Sequence, residues 1–509
     1  MPEPKKDNRK TIIFCILAPL ACCLIYAFFC MLNLHGSVWF DESYSAYLAR
    51  GDFGQIWHMT SLDVHPPFYY FLLKIWSGIF GYTDVSMRFM SVFFGALTII
   101  FLFHLIKRWF GEKAAALSTF FLSLSPMFIR YGQEMRMYTL VFLIVILATY
   151  VLDLALETKK TRYYILYAVL ISLGMWTHYF TAIAWIAHIV YYKITKRAKI
   201  FEKKMLLTYI GAVALFVPWM PSLFKQFLEV ESGFWIPGIS ILTPVDYATQ
   251  SLIFAEVTKG GVNILTGLLV LITVGALVYI TRKVCQEIKK SEKPKLYFLI
   301  SLIIFPPLIL MLISVPPLTS MFVDRYILYS ISLIWALIGL VIFLSIKLHG
   351  KDKRSLAVAI LLIIASLTSA VFGIINVETR EPKGPIQEIV YSVHAMAEDG
   401  EPIVANNEWN YYDAVFYDTE KNPVYGVRPW INFQYGSIFP IDILKYHLYD
   451  TVEDLTNSTD KFWYITDLKE GATSLEDYDL PKEIPADYRV VSEVSTPKNI
   501  AFKFEKDRH

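Results

Sequence analysis

The feature that most constrains this chain is a succession of long apolar runs. A helical run of about 18 to 22 apolar residues spans the hydrocarbon core of a bilayer, and somewhat shorter runs are candidates. Backbone amides in lipid have no partners but one another, so such runs must be helical. Eleven can be marked, at residues 11–32, 86–106, 114–130, 138–156, 162–177, 178–192, 205–224, 262–281, 296–315, 326–346 and 355–377. The fifth and sixth are short and almost continuous, divided at Thr177-His178. Composition agrees: of 509 residues 55% are hydrophobic and only 18% are charged, with mean hydropathy +0.45, too apolar for a soluble core to hide. The fold class is a polytopic α-helical membrane protein of about eleven spans.

Charge gives the orientation. If the N-terminus is cytoplasmic, the inner segments 1–10, 107–113, 157–162, 193–204, 282–295 and 347–354 hold 26 of the 47 Lys+Arg, and the outer segments before the tail hold eight. Basic residues collect on the cytoplasmic side of membrane proteins. This places the loop after the first span, and everything after residue 377, outside. Pro66 to Phe80 is apolar but cannot be a full span, since counting it would turn every later basic loop outward. It reads as a short interfacial helix with Pro66 and Pro67 at its first turn, where no backbone donor is needed. Lys5, Lys6, Arg9 and Lys10 before the first span resemble a secretion signal, but the run is long and Asn33-Leu-His-Gly is a poor cleavage site. It reads as a retained anchor.

From Glu378 onward the chain changes character, with 13 Lys+Arg against 25 Asp+Glu. Residues 1–377 are therefore read as a membrane domain and 378–509 as a soluble extracytoplasmic domain of small α/β or α+β type. Strands are expected at Pro402-Ile-Val-Ala, Asn422-Pro-Val-Tyr-Gly-Val, Lys461-Phe-Trp-Tyr-Ile-Thr, Tyr488-Arg-Val-Val and Ala501-Phe-Lys-Phe. The five cysteines, at 15, 22, 23, 30 and 285, avoid this domain, which argues against disulfides and zinc ribbons. The overall charge of +2, with no basic tail, gives no sign of a nucleic-acid partner.

Chemistry-bearing residues gather in the outer segments. The first loop carries Asp41-Glu42 and Asp63-Val-His65-Pro-Pro, and the third and fourth spans are joined by Arg130-Tyr-Gly-Gln-Glu134-Met-Arg136-Met-Tyr138. Arg88 and Arg325 open later spans. Outer arginines run against the topology rule, and a guanidinium grips phosphate oxygens through paired hydrogen bonds. The plainer account is snorkelling, or pairing with Glu134, Asp84 or Asp324. Asp41 and Glu42 are neighbours about 100° apart on a helix, so one can act as a base toward a hydroxyl while the other orients or pairs. The plainer account of that pair is a solvated helix start. Asp63 and His65 add a carboxylate and an imidazole that could orient an acceptor, contact phosphate, or join Asp41 or Glu42 around a divalent ion. No ligand spacing specifies such a metal site.

The ordered set resembles the polytopic C-type glycosyltransferases: an outer Asp-Glu after span one, D-x-H-P-P before an apolar helix, Q-E-x-R-x-Y between spans three and four, Pro218-Trp-Met-Pro221 near span seven, and Arg325-Tyr326. The branch it is most similar to contains protein O-mannosyltransferases and aminoarabinose transferases of lipid A, and the likeness covers residues 11–346. The resemblance implies inverting transfer of a sugar, a hexose such as mannose, from polyprenyl phosphate to an acceptor hydroxyl on the outer face. It implies Asp41 as base or acceptor-binding group with Glu42 beside it, and His65 in the H-P-P element. Arg136 and Arg325 are implied at the donor phosphate; Glu134, Arg88, Asp63 and Tyr138 join the expected substrate-binding set. The acceptor is left open among envelope glycan, lipid and protein. A transporter or flippase of lipid-linked sugars is the competing reading; it predicts internal repeats and mid-helix charges, and neither is seen.

Overall fold

The computed structural model describes residues 8–196, 202–231, 236–381, 384–430, 448–469, 471, 477–478 and 480–507. Lys5 and Lys6 lie outside them. Contacts gather the chain into two compact units, Met1–Leu34 with Arg88–Arg380, and His35–Met87 with Glu381–His509. The first long loop thus groups with the C-terminal segment.

Among the described residues, eight helices are long and apolar enough to cross a membrane: Arg9–Met31, Asp84–Phe110, Tyr138–Thr158, Lys203–Leu228, Ile264–Glu287, Lys293–Leu312, Asp324–His349 and Lys353–Glu378. The other three expected spans are helical but short. The 114–130 run is split into Glu112–Ser123 and Pro126–Gly132. Pro126 has no N–H to continue the first helix and starts the second instead. The remaining two become Thr161–Thr177 and Thr181–Lys196, parted where His178 is extended (φ −164°, ψ 126°).

Leu328–His349 is the core of the first unit and is buried along most of its length. It lies so close to Glu112–Ser123 that a Cβ on Gly339 would fall on the Leu117 carbonyl. Small residues allow this close backbone approach in membrane bundles. The same helix repairs a break in its neighbour. Pro307 in Lys293–Leu312 cannot donate to the Ile303 carbonyl, and Ser330 Oγ donates there at 2.7 Å.

In the second unit the first long loop forms helices Phe40–Arg50, Phe53–Leu62 and Phe68–Phe80. Asp52 opens the middle one with a capping box to Gln55. The last follows Pro67 as expected, and its 13 residues rise only about 20 Å, short of the hydrocarbon core. All five expected strands are present: β1 (Ile403–Ala405), β2 (Val424–Val427), β4 (Lys461–Asp467), β5 (Tyr488–Ser495) and β6 (Asn499–Lys506), with a short β3 (Leu448–Tyr449) added. The sheet order is β3-β2-β1-β4-β6-β5, parallel from β3 to β4 and antiparallel through β6 and β5. The domain is therefore a small mixed α/β one. One face of β4 and β6 buries Phe462, Tyr464, Phe502 and Phe504 with Val404, Val427 and Leu455.

Helix Glu408–Phe416 joins the loop to this domain. Its Tyr412 ring meets those of Phe40, Tyr44 and Tyr47 at 5.7, 5.6 and 5.0 Å. Val38 N donates to Tyr417 Oη at 2.9 Å, and Arg50 Nη2 to the Val415 carbonyl at 3.1 Å. Aromatic pairs of this kind add about 0.5 to 1.5 kcal/mol each beyond the area they bury.

Candidate active site

The phosphate-binding candidates belong to the first unit. Tyr138 starts a long helix, Tyr326 stands in a single 3-10 turn before another, and their rings are 6.4 Å apart. His178, at the break between two short helices, closes the cluster at 6.1 Å from Tyr138 and 4.8 Å from Tyr326, and Phe180 stacks on Tyr326 at 5.3 Å. Arg136 precedes Tyr138 by two residues and Arg325 precedes Tyr326 by one. Segments nearly 190 residues apart in sequence are thus tied together by the aromatic residues beside the two arginines. Tyr131, 5.2 Å from Tyr138, is within electrostatic reach of both Arg130 and Arg325.

The other polar groups hold this arrangement. Arg130 and Glu134 form an ion pair one helical turn apart, both buried, so the pairing account of the outer arginines is right for Arg130. Arg88 Nη1 donates to the Leu34 carbonyl at 2.6 Å. Ser91 Oγ, one turn further along the same helix, donates to the carbonyl of Glu134 at 2.6 Å. The turn carrying Arg136 is therefore pinned by its backbone. Arg88, Arg130, Glu134 and Arg136 are each less than 5% exposed, too buried for snorkelling alone to explain.

The carboxylate candidates belong to the second unit. Asp41 and Glu42 occupy the first turn of Phe40–Arg50, a favourable place for negative charge. The solvated helix start expected of such a pair fits Asp41, which is half-buried, but Glu42 is 1% exposed. Asp63 ends the next helix and lies 3.4 Å from His65 Nδ1. Among the described residues no group of three or more His, Cys, Asp or Glu could hold a metal ion, so the divalent ion suggested for Asp41 or Glu42 with His65 finds no ligand set.

A third carboxyl escaped sequence reading. Asp413, on Glu408–Phe416, is buried and accepts a hydrogen bond from Ser43 Oγ. Burial pushes its pKa well above the usual carboxylate range; the Ser43 hydrogen bond opposes the shift, and the charges of Glu42 and Asp41 add to it. Three acidic residues thus cluster at one helix start, with the tail supplying the third. The signal that could have found it is Asn407-Glu-Trp-Asn-Tyr-Tyr-Asp413, a run dense in amides and aromatics within an otherwise ordinary acidic domain.

A helical membrane bundle with an acid-bearing first loop and a mixed-sheet C-terminal domain has counterparts among proteins of known structure, and the comparisons show the likeness. Residues 64–221 match the family described as dolichyl-phosphate-mannose-protein mannosyltransferase, a stretch containing the H-P-P, Q-E-x-R-x-Y and P-W-x-P elements but neither Asp41 nor Arg325. Among solved structures, the chain is similar to ArnT from Cupriavidus metallidurans in the apo state, with TM-score 0.59 and 13% identity over 98% of both chains. It is also similar to the same protein bound to undecaprenyl phosphate, with TM-score 0.61 and 12% identity over 96% of this chain and 97% of that one. The apo oligosaccharyltransferase of Archaeoglobus fulgidus matches with TM-score 0.51 and 12% identity, covering 89% of this chain and 69% of that one. At such identities the likeness is one of fold. No curated protein matches the chain in sequence.

Proposed function

We propose that this protein is an integral-membrane glycosyltransferase that moves a sugar from a polyprenyl-phosphate donor to an acceptor hydroxyl. The site faces away from the cytoplasm, the N-terminus is cytoplasmic and the C-terminal domain is outside; the distribution of basic loops supports this orientation. The observation that carries the reading is the meeting of the Arg136 and Arg325 segments at one buried aromatic cluster. Solved ArnT with undecaprenyl phosphate and the mannosyl-phosphate family match support a lipid-linked donor and a hexose such as mannose.

In the proposed reaction the acceptor oxygen forms a bond to C1 of the sugar from the face opposite the phosphate, inverting that carbon. The acceptor proton passes to Asp41, the more exposed of the pair. The C1–O bond breaks, and its electron pair stays on the lipid phosphate. Arg136 and Arg325 stabilise the charge gathering there, more strongly in the transition state than before it. Glu42 and Asp63 orient Asp41 and His65, His65 positions the acceptor, and Arg88, Glu134 and Tyr138 shape the donor side. A phosphate departing as an anion held by two guanidinium groups needs no general acid.

The test is transfer of radiolabelled mannose from mannosyl polyprenyl phosphate to a cell-envelope extract by the protein in nanodiscs. Transfer that Asp41→Asn abolishes supports the proposal. Movement of the lipid across the bilayer without loss of its sugar would favour a transporter and sink it.

A further inference from the structure

The second unit contains a cavity of about 650 Å³ between the first loop and the C-terminal domain, not used by the reaction as described. Phe40 and Trp409 form one wall, with ring centroids 4.2 Å apart and Trp409 half exposed. Asn410 and Asp413 line it from helix Glu408–Phe416, Asn407 from the cap before that helix, and Asp467 and Asn499 from the ends of β4 and β6. These polar groups are pre-positioned. Asn410 Nδ2 donates to Asn406 Oδ1 at 2.8 Å and to Asp467 Oδ1 at 3.1 Å, and Asn499 Nδ2 approaches the same Asp467 oxygen at 3.3 Å. Gly384 completes the wall; a Cβ there would come within 2.6 Å of Asp413 Oδ2.

We propose that this cavity binds the acceptor and that the acceptor is a neutral glycan chain. The inference rests on the transferase reading and adds the acceptor's class to it. A pyranose ring presents an apolar C–H face and a rim of hydroxyls that both donate and accept. An exposed indole beside amide side chains, which also do both, matches that chemistry. Charge excludes an anionic ligand: Lys498 is the one cation among the described lining residues, and Glu381 engages it at 3.2 Å. Asp413, pushed by burial toward its neutral form, and Asp467, whose Oδ1 already accepts from Asn410 and Asn499, do not call for a cationic one. A peptide strand would pair with a sheet edge, and the edge strands β3 and β5 contribute nothing to the lining. The cavity is also continuous in sequence with the proposed base: Phe40 lines it, and Asp41 follows.

The experiment is calorimetric titration of the full-length protein, in nanodiscs free of sugar-based detergent, with mannotriose, cellotriose and galactotriose. Trigalacturonic acid and a Gly-Ser hexapeptide are the comparison ligands. At least one neutral trisaccharide should bind, and Trp409→Ala should weaken it about tenfold through loss of the apolar contact. Trp409 is half exposed, and a retained melting temperature confirms that the variant folds. Absence of neutral-sugar binding, tighter binding of the acid or the peptide, or binding indifferent to Trp409→Ala overturns the inference. Mannose transfer without saccharide binding removes this cavity's role and leaves the transferase reading; saccharide binding without transfer does the reverse.

Discussion

Ser43 and Asp413 are 370 residues apart in sequence, yet the Ser43 hydroxyl donates to the Asp413 carboxyl and fixes it beside Asp41 and Glu42. The acidic helix of the first loop therefore takes part of its electrostatic environment from the C-terminal domain. A buried carboxyl in this place is best kept neutral, because ionising it would add negative charge beside Glu42 and Asp41.

Asp413→Asn should accordingly fold and should change the pH dependence of stability. With its folded pKa above its unfolded one, Asp413 favours the folded state at low pH. That contribution is lost as pH rises from the unfolded toward the folded value. The wild type should become less stable relative to Asp413→Asn across that interval, measured by thermal unfolding in a pH series. Parallel curves for the two proteins would refute the neutral carboxyl.

Asp41→Asn should lower turnover by about 10² to 10⁴, the usual contribution of a general base, with donor affinity unchanged. Glu42→Gln should cost less turnover, because the buried Glu42 acts through its neighbours. Equal losses for the two would mean that Asp41 is not the proton acceptor.

Arg136→Lys and Arg325→Lys keep the charge but would lose the forked hydrogen bonds that the proposed reaction gives them to phosphate. Turnover should fall about 10² to 10³ in each, the scale seen when one oxyanion donor is removed. Single-turnover assays should show the loss in the sugar-transfer step and not in donor release.

Gly339→Leu should prevent assembly of the first unit, since its Cβ would overlap the backbone of Leu117, which cannot move aside as a side chain would. A penalty of about 3 kcal/mol or more is expected, at the upper end for overpacking. Monodispersity after extraction reports it.

Lys503→Met should destabilise the C-terminal domain and alter its acid sensitivity. Burial raises the pKa of Glu401, but the hydrogen bond from Lys503 at 2.6 Å and that from Trp463 outweigh it and leave the carboxyl below its usual range. Such a group stabilises the fold above its unfolded pKa, and the contribution is lost as pH falls through the folded one. The variant should show a shallower loss on acidification, read by near-ultraviolet circular dichroism.

The sequence by itself determined the membrane class, the helical nature of every apolar run, the short helix after Pro67 and the five principal strands. These follow from local causes: lipid leaves the backbone no other partner, proline blocks helix continuation, and apolar runs between turn residues become strands. It also isolated Asp41, Glu42, Arg136 and Arg325, because ionisable groups beside apolar runs stand out without any structure. Only the tertiary structure decided which of these groups meet. The approach of the Arg136 and Arg325 segments depends on rings at Tyr138, His178 and Tyr326 packing together at helix ends and breaks, and no periodicity encodes that. The grouping of residues 35–87 with the C-terminal segment and the place of Asp413 among the acids are long-range in the same way. They arise from burial shared between distant segments, a quantity that no stretch of sequence contains alone.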